Sequence, residues 1–383
     1  MSVTAAGGFK ASGVSARISK LGPDLALVAC DGECTGAAMF TTNRVQAAPV
    51  IVSKAHLDLA QPHAVVVNSG NANAATGARG LDDARASAER AGHLLGLPAE
   101  EVLVLSTGVI GVPLPVERLL DGLDAAAGAL SRAGGRAAAE AILTTDTRTK
   151  EAAVHGDGFA VGGMAKGSGM IHPNLATMLA VVTTDYPLEP GEALDFLRPA
   201  VEESFNSISV DGECSTNDAV VLLSSAKGSR GDDGAFAEAL HTVCADLSRQ
   251  IVADGEGATL VAQIDVRGAA TAPEARAIAE RVATSPLVKT ALHGRDANWG
   301  RIASAAGSAR YDGGYAQLDP ERLTILVDEV PVLLAGSPTE REPELVNGNC
   351  SIELDLALGD GRATYLTTDL SYDYVRINAE YRS

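Results

Sequence analysis

The chain has 383 residues, with 30 Lys and Arg against 49 Asp and Glu, which gives a formal net charge of -19 at pH 7. A field of that sign repels phosphate backbones and anionic lipid surfaces, so we expect neither a nucleic-acid partner nor a membrane partner. The sequence shows neither the apolar core of a secretory signal nor an apolar run of bilayer-spanning length. We therefore expect a soluble, cytoplasmic protein.

Short, apolar and often β-branched runs, mostly bounded by Gly, Pro, Asn or Asp, predict strands. In chain order they are Asp24–Cys30, Val50–Ser53, His63–Asn68, Glu101–Leu105, Thr177–Thr183, Ala219–Ser224, Leu260–Val266, Leu323–Val327 and Ile352–Leu358. Longer segments with apolar residues three and four apart predict helices. They are Asp82–Leu95, Pro115–Ala133, Gly191–Ser207, Ala235–Ala253 and Glu274–Leu292. The strands cluster rather than alternate strictly with helices, so the sequence favours a layered α+β fold over a doubly wound parallel sheet.

The sequence gives few signals of a metal site or of a familiar catalytic triad. Its five cysteines are an odd number and lack C-x-x-C spacing, so we expect reduced thiols and no metal. The seven histidines form no H-E-x-x-H pattern, and no G-x-S-x-G elbow is present. A nucleophile would therefore need a different kind of activation.

One hydroxyl, that of Thr177, follows a glycine-rich loop and opens an apolar run. A threonine hydroxyl is a poor nucleophile unless a base lies beside it, and the α-amine of an N-terminal threonine can be that base. The unperturbed pKa of such an amine, about 7.7–8.0, suits proton transfer near neutral pH. Because an internal threonine has no free amine, the hypothesis predicts self-cleavage between Ala176 and Thr177. The alternative is a threonine at a strand edge that bonds to the backbone.

Two further segments could supply charge stabilisation. Thr107 and Gly108 follow a predicted strand, and they either form an oxyanion hole or merely mark a turn. Lys166 precedes the Gly167-Ser168-Gly169 segment, which does not have the pattern of a phosphate-binding loop. We interpret Lys166 as a cation for a substrate carboxylate or as a solvated loop lysine.

Taken in order, several motifs resemble the ornithine acetyltransferase family of arginine biosynthesis, also called glutamate N-acetyltransferase. The similarity covers essentially the whole chain. The motifs are Asn68-Ser69-Gly70-Asn71-Ala72-Asn73, Ser106-Thr107-Gly108, Thr144-Thr145-Asp146, Gly163-Met164-Ala165-Lys166-Gly167-Ser168-Gly169-Met170-Ile171, Ala176-Thr177-Met178-Leu179, Asp211-Gly212-Glu213-Cys214-Ser215-Thr216-Asn217-Asp218, Asp254-Gly255-Glu256-Gly257, Lys289-Thr290-Ala291 and Gly294-Arg295-Asp296-Ala297-Asn298-Trp299-Gly300-Arg301.

The resemblance implies an αββα layered fold in which Thr177 cuts its preceding bond, takes acetyl from N-acetylornithine and passes it to glutamate. It implies two chains, residues 1–176 and 177–383, which share one core and associate as an α2β2 heterotetramer without a cofactor. Thr107 and Gly108 match its oxyanion positions. Its substrate-binding positions are matched by Thr144, Lys166, Thr177, Glu256, Asn378 and Ser383. For an amino-acid substrate, Lys166 could balance an α-carboxylate and Glu256 an ammonium group.

The motifs leave four alternatives open. The enzyme could also accept acetyl-CoA as donor, or it could be an amidase or aminopeptidase in which water attacks the acyl-enzyme. It could serve a secondary-metabolite pathway. A protein of another class, which binds amino acids but never cleaves itself, would keep the same pocket residues.

Overall fold

The computed structural model describes residues 2–19, 22–172, 178–346 and 348–380. These residues form two compact units. The first comprises the chain up to residue 206 together with 213–251, and the second comprises 207–212 together with the chain from residue 252. Within the described ranges, every helix is too short or too polar to traverse a bilayer.

The strands of these ranges follow in chain order. They are β1 (Phe9–Val14), β2 (Leu25–Cys30), β3 (Thr35–Phe40), β4 (Ala64–Asn68), β5 (Val102–Ser106), β6 (Lys150–His155), β7 (Ala160–Lys166), β8 (Leu179–Thr184), β9 (Ile208–Ser209), β10 (Ala219–Ser224), β11 (Leu260–Ala269), β12 (Arg310–Tyr311), β13 (Gly314–Tyr315), β14 (Thr324–Val327), β15 (Val330–Leu334), β16 (Ser337–Pro338), β17 (Gly348–Asp355) and β18 (Gly361–Thr368).

The α-helices lie between these strands and after the last one. They are α1 (Ala48–Leu57), α2 (Gly77–Leu95), α3 (Val116–Gly128), α4 (Gly135–Ala141), α5 (Glu192–Glu202), α6 (Asp233–Ala253), α7 (Ala272–Ala283), α8 (Pro286–His293), α9 (Trp299–Gly307) and α10 (Tyr372–Glu380).

Two sheets face each other in the first unit. One has the strand order β1-β2-β4-β5 and the other β3-β10-β8-β7-β6. Side chains of both sheets, such as Val65 and Val181, meet in one buried apolar cluster. On the outer face of the four-stranded sheet, a second cluster joins residues such as Val66 to Ala88 of α2 and Leu119 of α3.

Helices also cover the five-stranded sheet. A Cβ on Gly163 of β7 would lie 2.9 Å from Leu247 and 3.2 Å from Val243, both on α6. Helix α5 contacts β3 and β10 of the same sheet. The layers therefore run helices, sheet, sheet, helices, which confirms the expected α+β fold with αββα layering.

The five-stranded sheet combines strands from both sides of residues 173–177. Strands β3, β6 and β7 precede that segment, and β8 and β10 follow it. β8 pairs antiparallel with β7, with Leu179 opposite Lys166, and parallel with β10. β8 and β10 are buried along their whole length because sheet and helices cover both of their faces.

The second unit is built on one sheet with the order β16-β15-β14-β17-β11-β18-β9. β11 lies inside it, parallel to β17 and antiparallel to β18. Its Ile264 joins Ile278 of α7, Val288 of α8 and Ile302 of α9 in one buried cluster. Trp299 packs against that cluster.

Two sequence predictions of elements are wrong. Val50–Ser53, predicted as a strand, lies inside α1, which has a proline in its first turn where the missing N–H costs no hydrogen bond. Glu274–Leu292, predicted as one helix, is split into α7 and α8. There the Ser285 side chain caps the Val288 N–H and Pro286 begins the new helix.

Candidate active site

Thr107 and Gly108 directly follow β5 in the first unit. Thr107 is buried, and its backbone N–H donates to the carbonyl oxygen of Asn68 at 3.0 Å. Gly108 has a φ of +132°, and a Cβ there would lie 2.3 Å from the carbonyl carbon of Gly70 and 2.5 Å from the backbone nitrogen of Asn71. Only glycine permits so close an approach of two backbones. The loop is therefore held in place, as a preorganised oxyanion donor requires.

Lys166 is the last residue of β7, and its ammonium group lies beside Thr107. Its Nζ donates to Thr107 Oγ1 at 3.4 Å. Because the hydroxyl oxygen accepts this bond, the hydroxyl proton can still be donated to another acceptor. The Lys166 side chain is only 3% exposed, so the alternative of a solvated loop lysine is wrong.

A buried carboxylate, Asp146, pairs with two lysines. Its Oδ1 lies 2.7 Å from Lys150 Nζ, and its Oδ2 lies 3.8 Å from Lys166 Nζ. It also accepts backbone N–H bonds from Gly167 at 2.7 Å and from Thr144 at 3.1 Å. Asp146 thus connects the Thr144 turn, Lys166 and the glycine-rich segment after β7.

Nearby charges keep the buried Asp146 carboxyl group ionised. Burial alone would raise the pKa of Asp146, but the charges of Lys166 and Lys150 and the Gly167 N–H outweigh it and hold the pKa at about 2. The carboxylate is therefore ionised at neutral pH, and two ammonium groups face it. A buried ammonium group next to Thr107, such as that of Lys166, suits an anionic group of a substrate.

A second carboxyl group, Asp218, lies immediately before β10. Its Oδ1 accepts the backbone N–H of Met178 at 3.0 Å and so holds the first described residue after Thr177. Burial raises the pKa of Asp218 well above its usual range, although the Met178 N–H and the charge of Lys166 act in the opposite direction. Burial therefore favours the neutral acid at this position.

Glu256 and Asn378 are in contact in the second unit. The Asn378 Nδ2 on α10 donates to Glu256 Oε2 at 2.8 Å. Gly257 has a φ of +68°, and a Cβ there would lie 2.4 Å from the backbone nitrogen of Tyr374. Glycine therefore allows the turn that carries Glu256 to approach α10 closely.

A buried lysine in the second unit has a structural role. Lys289 on α8 donates to the side-chain hydroxyls of Thr367 at 2.9 Å and Thr368 at 3.2 Å. Burial lowers the pKa of Lys289 to about 7, and the charges of Asp211 and Asp369 offset that shift only in part. These bonds hold α8 against the end of β18.

Thr107, Gly108, Lys166 and Thr144 therefore lie together in the first unit, and Glu256 and Asn378 lie together in the second. Ala176, Thr177 and Ser383 lie outside the described residues, so their roles stay predictions. Sequence reasoning missed the contacts of Asp146, Lys150 and Asp218. Asp146 and Asp218 stand inside motifs that it singled out, whereas Lys150 had no signal beyond its four-residue separation from Asp146.

No group of three or more His, Cys, Asp or Glu that could hold a metal ion occurs in the described ranges. The loop Thr107–Gly108, called the donor loop below, lies next to the Lys166 ammonium group, and this arrangement suits acyl transfer.

Comparison with known proteins identifies the family. Residues 10–383 match the ArgJ family. A protein of Streptomyces coelicolor named arginine biosynthesis bifunctional protein ArgJ is 49% identical over 390 residues and covers 100% of both chains. A protein of the same name from Symbiobacterium thermophilum is 45% identical over 407 residues, covering 100% of this chain and 98% of its own.

A solved structure is also similar. An ornithine acetyltransferase from Mycobacterium tuberculosis, complexed with ornithine, is 44% identical, with a TM-score of 0.44 and coverage of 45% of this chain and 94% of that chain. The layered α+β fold and the donor loop define a candidate acyltransferase. The chain belongs to the ArgJ family, which confirms the resemblance found in the motifs and the expectation of an acetyltransferase of arginine biosynthesis.

Proposed function

We propose that this protein transfers the acetyl group of N2-acetyl-L-ornithine to L-glutamate, giving ornithine and N-acetylglutamate. The observation that carries the proposal is the contact of Lys166 Nζ with Thr107 Oγ1 at 3.4 Å. It places a cation for a substrate carboxylate next to a donor for the oxyanion of acyl transfer. Membership of the ArgJ family supports the same reaction.

The reaction proceeds through an acetyl-Thr177 intermediate. The Thr177 amine takes the hydroxyl proton, Oγ attacks the acetyl carbonyl carbon, and Thr107 and Gly108 stabilise the oxyanion. The amide C–N bond of acetylornithine then breaks, and the amine returns the proton to the departing ornithine nitrogen. In the second half-reaction the neutral amine of glutamate attacks the ester carbonyl carbon, a new amide C–N bond forms and the C–O bond to Thr177 Oγ breaks. The Thr177 amine takes the proton that the glutamate nitrogen releases and passes it to Thr177 Oγ. Both halves use only groups of the chain and its substrates, so the reaction needs no cofactor.

The charged side chains suit both amino-acid substrates. The Lys166 ammonium group would hold an α-carboxylate, and Glu256 with Asn378 would hold an ammonium group. Thr144, beside Asp146, and Ser383 complete the proposed binding set.

Self-cleavage between Ala176 and Thr177 creates the Thr177 amine. The resulting chains, 1–176 and 177–383, stay associated and form an α2β2 heterotetramer. The antiparallel pairing of β7 with β8 supports their association, because the bonds of that ladder do not depend on the peptide bond between the two chains.

A second candidate activity uses acetyl-CoA as donor to acetylate glutamate directly. The curated relatives at 49% and 45% identity, which are named bifunctional, favour it. Acetylglutamate formation from acetyl-CoA and glutamate in the absence of acetylornithine tests it, and no product under those conditions would leave the transfer reaction alone.

The intact mass of purified protein tests the proposal first. Scaling 39.1 kDa by length predicts fragments of roughly 18 and 21 kDa. Thr177→Ala should remain uncleaved and inactive, whereas Thr177→Ser keeps a hydroxyl and can still cut. A single uncleaved species with full transferase activity would contradict the proposed nucleophile.

Acetyl trapping tests the intermediate. Supplying N-acetylornithine without glutamate should leave acetyl on the Thr177 peptide, and initial rates with both substrates should follow ping-pong kinetics. Intersecting double-reciprocal lines together with an unmodified Thr177 peptide would indicate direct transfer instead.

A further inference from the structure

Asn217 lies in the irregular segment that leads into β10, and it spans two loops of the proposed catalytic centre. Its side chain is 4% exposed. The carboxamide Nδ2 donates to the carbonyl oxygen of Ala72 at 2.6 Å and to that of Ser106 at 2.8 Å. Its Oδ1 accepts the Thr216 hydroxyl at 2.6 Å. The two N–H groups of this side chain therefore donate to two backbone carbonyls, those of Ala72 and Ser106, which lie far apart in the sequence.

The Ser106 carbonyl belongs to the peptide group that carries the Thr107 N–H. That N–H donates to the Asn68 carbonyl at 3.0 Å. The peptide plane immediately before the proposed oxyanion donors is thus held from both ends, by Asn217 on its oxygen and by Asn68 on its nitrogen. A rotation of this plane would move the Thr107 hydroxyl and the Gly108 N–H together.

The Ala72 carbonyl belongs to the loop on which Gly108 packs. Ala72 N–H donates to the Val109 carbonyl at 3.0 Å, and the backbone of Gly70 fills the space next to Gly108. Asn217 therefore bonds to both backbones whose close approach fixes the donor loop.

The next residue along the chain acts on the other side of the centre. Asp218 accepts the Met178 N–H at 3.0 Å, at the start of β8. Consecutive side chains thus hold the donor loop and the strand that follows the proposed nucleophile. Because adjacent residues share a short backbone, the two elements are held relative to each other with little freedom.

We propose that Asn217 is a positioning residue that aligns the Thr107–Gly108 donor loop with the start of β8. The proposal rests on the proposed function, since it assigns Asn217 to the oxyanion loop of acyl transfer. A side chain that only satisfied buried carbonyls would affect stability; one that positions donors also affects the rate of the chemical step.

Asn217→Asp tests this role, because Asp has nearly the same shape as Asn. Its second carboxylate oxygen takes the place of Nδ2 and cannot donate to the carbonyl oxygens of Ala72 and Ser106. We expect kcat for acetyl transfer to fall roughly 10- to 100-fold, since a displacement of about 1 Å can cost that much. KM for acetylornithine should change less than about threefold, because the loop contacts the oxyanion rather than the bound substrate. Self-cleavage should slow as well, since it passes through a similar oxyanion.

Ser53→Ala is the matched control. Ser53 Oγ donates to the Val104 carbonyl at 2.8 Å and accepts the Val104 N–H at 2.9 Å, so its loss removes buried hydrogen bonds from the same strand, β5. Ser53→Ala should lower the melting temperature while kcat stays within about twofold. Asn217→Ser, which adds no charge and no volume, should lower kcat in the same direction if Asn217→Asp does not fold.

A double-mutant cycle separates positioning from general destabilisation. Combined with Thr107→Ala, the Asn217→Asp substitution should lower kcat by clearly less than the product of the two single effects, because one of the donors it positions is already gone. The proposed role of Asn217 would be overturned if folded Asn217→Asp or Asn217→Ser had the kcat of the wild type, or if the two substitutions of the cycle lowered kcat by the full product of their single effects. Either result would leave the proposed function standing. A wild-type protein that neither cleaves nor transfers acetyl would overturn the proposed function and this inference with it.

Discussion

The Asp146→Asn substitution should destabilise the first unit, because it removes the carboxylate that pairs with two buried lysines. Asn keeps the shape of the side chain, but its one acceptor oxygen can serve only one of the two backbone N–H groups, that of Gly167 on Oδ1 or that of Thr144 on Oδ2. It loses the negative charge that lies 2.7 Å from Lys150 Nζ and 3.8 Å from Lys166 Nζ. All three side chains are at most 3% exposed, so water compensates little of the loss.

The size of the effect follows from the pKa. Folding lowers the pKa of Asp146 from 3.8 to about 2, and at 1.36 kcal/mol per unit the ionised group contributes about 2 kcal/mol. That contribution is present above pH 3.8 and is lost as the pH falls toward 2. Replacing one partner of a buried ion pair costs about 3 to 5 kcal/mol, because the partner charge stays desolvated. We therefore expect a loss at pH 7 of about 2 to 5 kcal/mol.

Urea unfolding measures this loss. Because the proposed self-cleavage needs the Thr177 hydroxyl, a Thr177→Ala background should keep the protein as one chain, so that unfolding is not coupled to chain separation. Far-UV circular dichroism is the suitable probe, since the single tryptophan, Trp299, lies in the second unit. Asp124→Asn is the control because its ion pair with Arg90 is exposed and should contribute almost nothing. Equal unfolding midpoints for Asp146→Asn and Asp124→Asn would refute the structural role of the buried charges.

Three further predictions concern the donor loop and its neighbours. In steady-state assays, Thr107→Ala should lower kcat by roughly 100- to 1000-fold with a smaller change in KM, whereas Lys166→Ala should mainly raise KM; the reverse pattern would refute both roles. Gly108→Ala should block self-cleavage, because its Cβ would meet the Gly70 backbone at 2.3 Å, while Gly128→Ala, with no described atom within 4 Å, should cleave normally by intact mass. For Asp218, the folded state keeps a proton that the unfolded chain loses above about pH 4, so this group makes the protein less stable as the pH rises. Asp218→Asn should therefore gain stability relative to wild type between pH 5 and pH 8 in urea titrations, and an unchanged difference would contradict the neutral acid.

The layered fold was predictable where strands are continuous apolar runs. Residues 64–68, 102–106 and 219–224 are covered on both faces, and such strands carry nearly continuous runs of apolar residues. β7 was missed because its centre is Gly162-Gly163. A Cβ on Gly162 would lie 2.3 Å from the carbonyl oxygen of Ser2, so the packing of β7 requires glycine at this position. Glycine has a low strand propensity, and the sequence therefore did not predict this strand.

Part of the candidate site was predictable for a different reason. Thr107 lies between a predicted strand and a glycine, and Lys166 stands out because the glycine-rich segment Gly167-Ser168-Gly169 follows it. Asn217 gives no such signal, since its partners Ala72 and Ser106 are 145 and 111 residues away. Asparagine before a strand is typical of a turn. Only the folded chain shows which distant carbonyls it bonds.

Lys166 links the charge cluster to the donor loop. Its ammonium lies between Asp146 Oδ2, at 3.8 Å, and Thr107 Oγ1, at 3.4 Å. A cation that donates to a hydroxyl oxygen polarises the O–H bond and makes that hydroxyl a stronger donor. Lys166 Nζ lies closer to Thr107 Oγ1 than to Asp146 Oδ2, so its ammonium group acts directly on that hydroxyl. In the proposed reaction, the lysine that holds a substrate carboxylate therefore also strengthens the donor for the oxyanion.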